Sequence, residues 1–259
     1  MFVKIFKHAF LRSLKTGIIL GVISLISAVL AGVLTNLYNN LQLQGEIVPP
    51  IMISASAILQ LVANVSGYLA FILAIGEFRK AVATDEAYLT YTLPATPKTQ
   101  FWARFLALFA WLMISVFLSN ITNFIYYSIV DPKNAQFWIT IFFQTPKDFG
   151  GFMLNAQILL LIIVVCFSIV STFVFSILAV QALSARFNDK IAVFIMAGIY
   201  FLEVFVFVCV FLILFSSAWG RGDFNAYWWI WSFIIYSGAT AAINIFFCRK
   251  IMGRWLNLV

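Results

Sequence analysis

Six stretches of this chain run for 20 or more residues with almost no charge, and that pattern decides its solvent. They cover residues 17–39, 50–76, 105–127, 152–183, 191–217 and 228–248. Five hold no Asp, Glu, Lys or Arg; the stretch 191–217 holds one, Glu203. A helix needs about 20 apolar residues to cross a hydrocarbon layer roughly 30 Å thick. A chain of 259 residues that is 64% hydrophobic and 10% charged, against about 25% charged in a soluble domain, cannot hide its apolar surface from water. The expectation is an all-α membrane protein, one domain over 1–259, with six transmembrane helices and no soluble lobe.

The few charges then orient the bundle. Of the 16 Lys and Arg, 13 fall in the N-terminus, the 77–104 loop, the 184–190 turn and the C-terminus. The three others lie in 128–153 and 218–227. Loops rich in Lys and Arg stay inside, so both termini and the 77–104 loop are expected to be cytoplasmic. The formal charge of +7 is scattered over the ends of apolar runs, which fits anionic lipid and topology and gives no reason to expect nucleic acid. Cys166, Cys209 and Cys248 lie in or beside apolar runs without metal-ligand spacing, and read as small packing groups.

Residues 1–16 set Lys4, Lys7, His8, Arg12 and Lys15 among apolar positions at 3, 6, 10 and 14, the spacing of a helix lying in the membrane surface. The apolar run that follows is too long for a signal peptide's core of about 7–15 residues, so the segment is expected to be retained. Gly17, Gly21, Ser24, Ala28 and Gly32 give the first span a small face suited to close packing. Polar groups recur every four residues at Ser56, Gln60 and Asn64, at Ser115, Ser119 and Asn123, and at Ser168, Thr172 and Ser176. Such stripes face protein, bound water or a pathway, and Gln60, Asn64 and Asn123 are candidate members of a substrate path. Glu203, near mid-bilayer, is a further candidate: a charged side chain there costs about 2.5–3.5 kcal/mol or more on insertion scales, which demands a partner.

The 77–104 segment, EFRKAVATDEAYLTYTLPATPKTQFWAR, is the most charged piece of the chain. A loop that only had to be wet would carry Ser, Gly and Asn. This one mixes Asp85 and Glu86 with Tyr88, Leu89, Tyr91 and Leu93, the surface of a segment that touches another protein. The chain has no GxxxxGK[ST] phosphate loop, HExxH or GxSxG, so no catalytic residue, metal ligand or bound cofactor is expected, and the chain does not read as an enzyme.

Thr84-Asp85-Glu86-Ala87-Tyr88-Leu89-Thr90-Tyr91-Thr92-Leu93-Pro94 resembles the TDEGYLT-x-TLP segment of type-2 ABC transporter permeases, especially those of Gram-positive bacteria. Ala87 stands where that family often has Gly. The resemblance implies a permease subunit in the bacterial cell membrane, with an elbow helix at the N-terminus and a cytoplasmic coupling helix between the second and third spans. It implies docking of Asp85, Glu86, Tyr88, Leu89, Tyr91 and Leu93 on an ABC ATPase subunit. It further implies ATP and Mg on that subunit, a second permease copy or paralogue, and export of an amphipathic peptide, lipid or drug. The residues by themselves leave open a non-transporting membrane scaffold or sensor, or an ion-coupled carrier.

Overall fold

A computed structural model describes residues 1–44, 49–83, 96–131, 149–184, 190–192, 194–199, 201, 205 and 226–256. Among these residues there is no strand. The helices are α1 (Phe2–Arg12), α2 (Leu14–Leu43), α3 (Pro50–Ala83), α4 (Pro97–Val130), α5 (Phe149–Ser184) and α6 (Ala226–Leu256). Five are long and apolar enough to cross a bilayer, namely α2 to α6. The protein is an all-helical, multi-pass membrane protein. The expected span 191–217 is described only in part: Lys190–Ile199 forms a shorter apolar helix, and Glu203 lies outside the described residues.

The helices outrun the apolar stretches that gave them away. α3 and α4 have 34 residues each, about 51 Å at 1.5 Å per residue, against a hydrocarbon core of about 30 Å. The ends of the 77–104 loop are therefore helical: Glu77, Arg79 and Lys80 continue α3, and Lys98 to Arg104 open α4. Local sequence explains where α4 starts and stops. The Thr96 hydroxyl accepts a hydrogen bond from the Thr99 backbone N–H at 3.3 Å, with Pro97 in the first turn. At the other end Asp131 is extended (φ −149°, ψ 96°), as the residue before a proline prefers.

Contacts divide the chain into two bodies. The first, Met1–Ala81 with Tyr91–Asn155, contains α1, α2, α4 and nearly all of α3. Its inside and outside are inverted relative to a soluble protein. On α2 the buried positions are Ser24, Ser27, Ala28, Ala31, Gly32 and Thr35, while Ile18, Ile19, Val22, Ile26, Leu30, Val33 and Leu37 are exposed. Small groups inside and large aliphatics outside suit lipid, where close packing holds helices together. Gly17 sits against Trp111, Gly21 near Leu118 and Gly32 near Ile129, so α2 runs parallel to α4. Gln60 bonds Asn123 and Asn64 bonds Ser119, so α3 runs antiparallel to α4.

The second body, Val82–Thr90 with Ala156–Val259, contains α6 and most of α5. Gly238 faces Val164, Asn244 Nδ2 donates to Thr172 Oγ1 at 2.9 Å, and Phe247 meets Phe175 with ring centroids 6.0 Å apart. Partners rise together along both helices, so α5 and α6 are parallel. Cys166 and Cys248 are buried free thiols, and Cys209 lies outside the described residues.

Candidate functional site

The first body carries two constellations of polar side chains, one inside the helix bundle and one near the start of α2. The inner one is a seam between α3 and α4. Gln60 Nε2 donates to Asn123 Oδ1 at 2.9 Å. One turn away, Ser119 Oγ donates to Asn64 Oδ1 at 3.0 Å, and Asn64 Nδ2 donates to the Gln60 carbonyl at 2.9 Å. Beside it, Ser24 Oγ of α2 donates to the Ala63 carbonyl at 2.5 Å. Nearer the far end of α2, Thr35 and Tyr126 bring their hydroxyls within 3.3 Å. Water is scarce at this depth, so polar groups find partners in each other. Three of the sequence-derived path residues, Gln60, Asn64 and Asn123, thus come together as cross-helix rungs.

Two atoms of the seam stay unsatisfied. Among the described residues, Gln60 Oε1 and Ser115 Oγ are buried without a hydrogen-bond partner, and Ser115 is 1% exposed. Ser56, the outer member of the α3 stripe, bonds only its own helix through the Ile53 carbonyl at 2.8 Å. Among the described residues the seam therefore keeps hydrogen-bonding capacity to spare.

The outer constellation joins α1 to the α3–α4 pair. The Phe10 and Trp111 rings stack with centroids 5.1 Å apart, and Trp111 Nε1–H donates to the Phe10 carbonyl at 3.3 Å. Gly17 admits the indole edge: a Cβ there would lie 2.3 Å from Trp111 Cη2. Arg12 Nε lies 2.5 Å from Glu77 Oε2, and Lys80 Nζ donates to Glu77 Oε1 at 3.0 Å. Arg104 Nη1 donates to the Ala81 carbonyl at 2.8 Å, tying α4 to the end of α3. The apolar side of α1 is thus engaged by protein at Phe10, where the 3, 6, 10, 14 pattern had pointed to lipid. Val3, in the same pattern, is 71% exposed.

This joint has no signal in the sequence, because Arg12 and Glu77 are far apart in the chain and Trp111 looks like any aromatic in a span. Asp85, Glu86, Tyr88, Leu89, Tyr91, Leu93 and Glu203 lie outside the described residues. Among the described residues no three His, Cys, Asp or Glu side chains gather as a metal site. No family model, curated protein or solved structure matches the chain.

Proposed function

We propose that this chain is the permease subunit of an ATP-driven exporter in a bacterial membrane, moved by separate ABC ATPase subunits. The observation that carries the reading is the Thr84–Pro94 segment, with its mix of acids and bulky apolar groups and its resemblance to type-2 ABC permeases. That segment connects two helices each about 20 Å longer than a bilayer requires, an arrangement suited to receiving force outside the lipid. Asp85 and Glu86 pair with basic groups of the ATPase, and Tyr88, Leu89, Tyr91 and Leu93 fill its apolar groove. ATP and Mg bind on that partner. Closure of two such subunits pushes the segment, and α3 and α4 carry the displacement to a path between two permease chains. Gln60, Asn64, Asn123 and Glu203 line that path, and α1 acts as the elbow helix.

The parallel course of α5 and α6 supports the sixth span. Two parallel helices that follow each other in sequence need a connection that returns across the membrane, and the apolar 191–217 stretch is long enough to make it. With six crossings both termini share one side, the side that its Lys and Arg mark as cytoplasmic.

Purification in mild detergent tests the partner, since an ATPase subunit should accompany the chain. In reconstituted vesicles, Tyr88→Ala with Leu89→Ala should abolish ATP-dependent transport while helical content is retained. Undiminished export by that variant would refute the docking role. A folded chain that binds a different protein and moves nothing would favour a scaffold or sensor.

A further inference from the structure

We propose that the outward ridge of α1 is a docking surface for the phosphate headgroups of anionic lipids, held there by charge and not by an inserted apolar face. At 100° per residue, positions 4, 7, 8 and 11 share one side of α1, and Lys15 follows in the first turn of α2. Lys4, Lys7, His8, Leu11 and Lys15 are all exposed, whereas Phe2, Ile5, Phe6, Ala9, Phe10 and Ser13 are half-buried or buried. The joint to Trp111 fixes which side faces out, because the Phe10 ring and carbonyl are both engaged by the indole. Arg12 is not part of the ridge: it pairs with Glu77. Sequence alone could not separate Arg12 from the lysines, nor show that Phe10 turns toward protein.

Depth favours a lipid over a soluble anion. From Trp111 to the end of α4 at Val130 is about 19 residues, or roughly 29 Å, which matches the hydrocarbon thickness. Trp111, and with it the end of α1, therefore stands where hydrocarbon gives way to headgroups. Lysines at that height meet phosphate. Among the described residues of the first body, Glu77 is the sole acid on this end, and it is already paired with Arg12 and Lys80. Nothing acidic on α1 competes for the ridge. An amphipathic helix held by its apolar face would bind any lipid; a ridge of lysines discriminates by headgroup charge and responds to salt.

The full-length protein in neutral detergent micelles is titrated with dansyl-labelled phosphatidylglycerol or phosphatidylcholine, read by energy transfer from tryptophan. Each lysine near an anionic surface contributes about five-fold to association. Changing Lys4→Gln, Lys7→Gln and Lys15→Gln together should therefore weaken phosphatidylglycerol binding by about a hundred-fold and leave phosphatidylcholine unchanged. Raising the salt from 0.1 to 0.5 M should erase most of the wild-type preference, a result that needs no variant. The proposal is overturned if the triple variant binds phosphatidylglycerol like the parent, or if phosphatidylcholine binds as well. It is equally overturned if Arg249→Gln with Lys250→Gln on α6 has the larger effect, or if inorganic phosphate competes at the lipid's own concentration. None of these readouts depends on transport, so the lipid surface and the exporter reading fail separately.

Discussion

Replacing Gly17 by Ala probes the joint between α2 and Trp111. The added Cβ would stand 2.3 Å from Trp111 Cη2 and 2.5 Å from Cζ3, both inside the 3.0 Å that real Cβ atoms essentially never breach. The indole cannot swing away freely, since it stacks on Phe10 and donates its N–H to the Phe10 carbonyl. Overpacking of this kind costs about 1–3 kcal/mol. Exchanging Gly for Ala within a helix returns about 0.5–1 kcal/mol. The net expectation is a loss of about 1–2 kcal/mol, read as a lower midpoint when the detergent-solubilised protein is unfolded with SDS and followed by circular dichroism. The cause is isolated by repeating the change in a Trp111→Phe background, where the indole's outer ring edge is gone. There Gly17→Ala should be neutral or stabilising, a coupling of at least about 1 kcal/mol between the two sites. An equal cost in both backgrounds would refute the steric argument, as would no cost in either.

The other glycines should follow their contacts: Gly32→Ala, 3.0 Å from Ile129 Cδ1, should cost less than Gly17→Ala, while Gly21→Ala and Gly76→Ala should be neutral or stabilising by up to about 1 kcal/mol in the same unfolding assay. Arg12→Gln should cost no more than about 1 kcal/mol, because the Arg12 and Glu77 side chains are 38% and 26% exposed, and the cost should shrink in 0.5 M salt. Gln60→Leu should destabilise by about 0.5–1.5 kcal/mol by leaving Asn123 Oδ1 without its donor, and a double-mutant cycle with Asn123→Leu should recover about half of that as coupling. Glu203→Gln should change transport rate or substrate range in reconstituted vesicles; unchanged transport of every substrate tried would assign Glu203 a structural hydrogen bond only.

Five spans and the helical class were legible because lipid demands long uncharged runs, and few other structures produce them. The ends of those helices were not legible in the same way. Hydropathy marks where lipid stops, and a helix such as α3 continues through Glu77, Arg79 and Lys80 into water without breaking a rule of its own. The four-residue polar stripes could be read directly, since spacing along one helix is local. Which rung meets which could not, because the pairing of Gln60 with Asn123 and of Asn64 with Ser119 depends on how two helices line up lengthwise. The small face of α2 was legible as a face, yet only the structure distinguishes Gly17, which has no room for a methyl group, from Gly21, which has. The ion pair of Arg12 with Glu77 had no local signature at all.

The seam between α3 and α4 is graduated like two rulers with the same division. Ser56, Gln60 and Asn64 mark one edge, and Ser115, Ser119 and Asn123 mark the other, each four residues apart. In the observed alignment two pairs of marks coincide, and one mark at each end, Ser56 and Ser115, lies outside those pairs. Displacing one ruler by a single division, about 6 Å along the axis, would bring Ser56 to Asn123, Gln60 to Ser119 and Asn64 to Ser115, so that three pairs coincide. Any intermediate offset strands them all. A lengthwise shift between these helices is therefore confined to whole steps, and the Arg12–Glu77 contact opposes the first one.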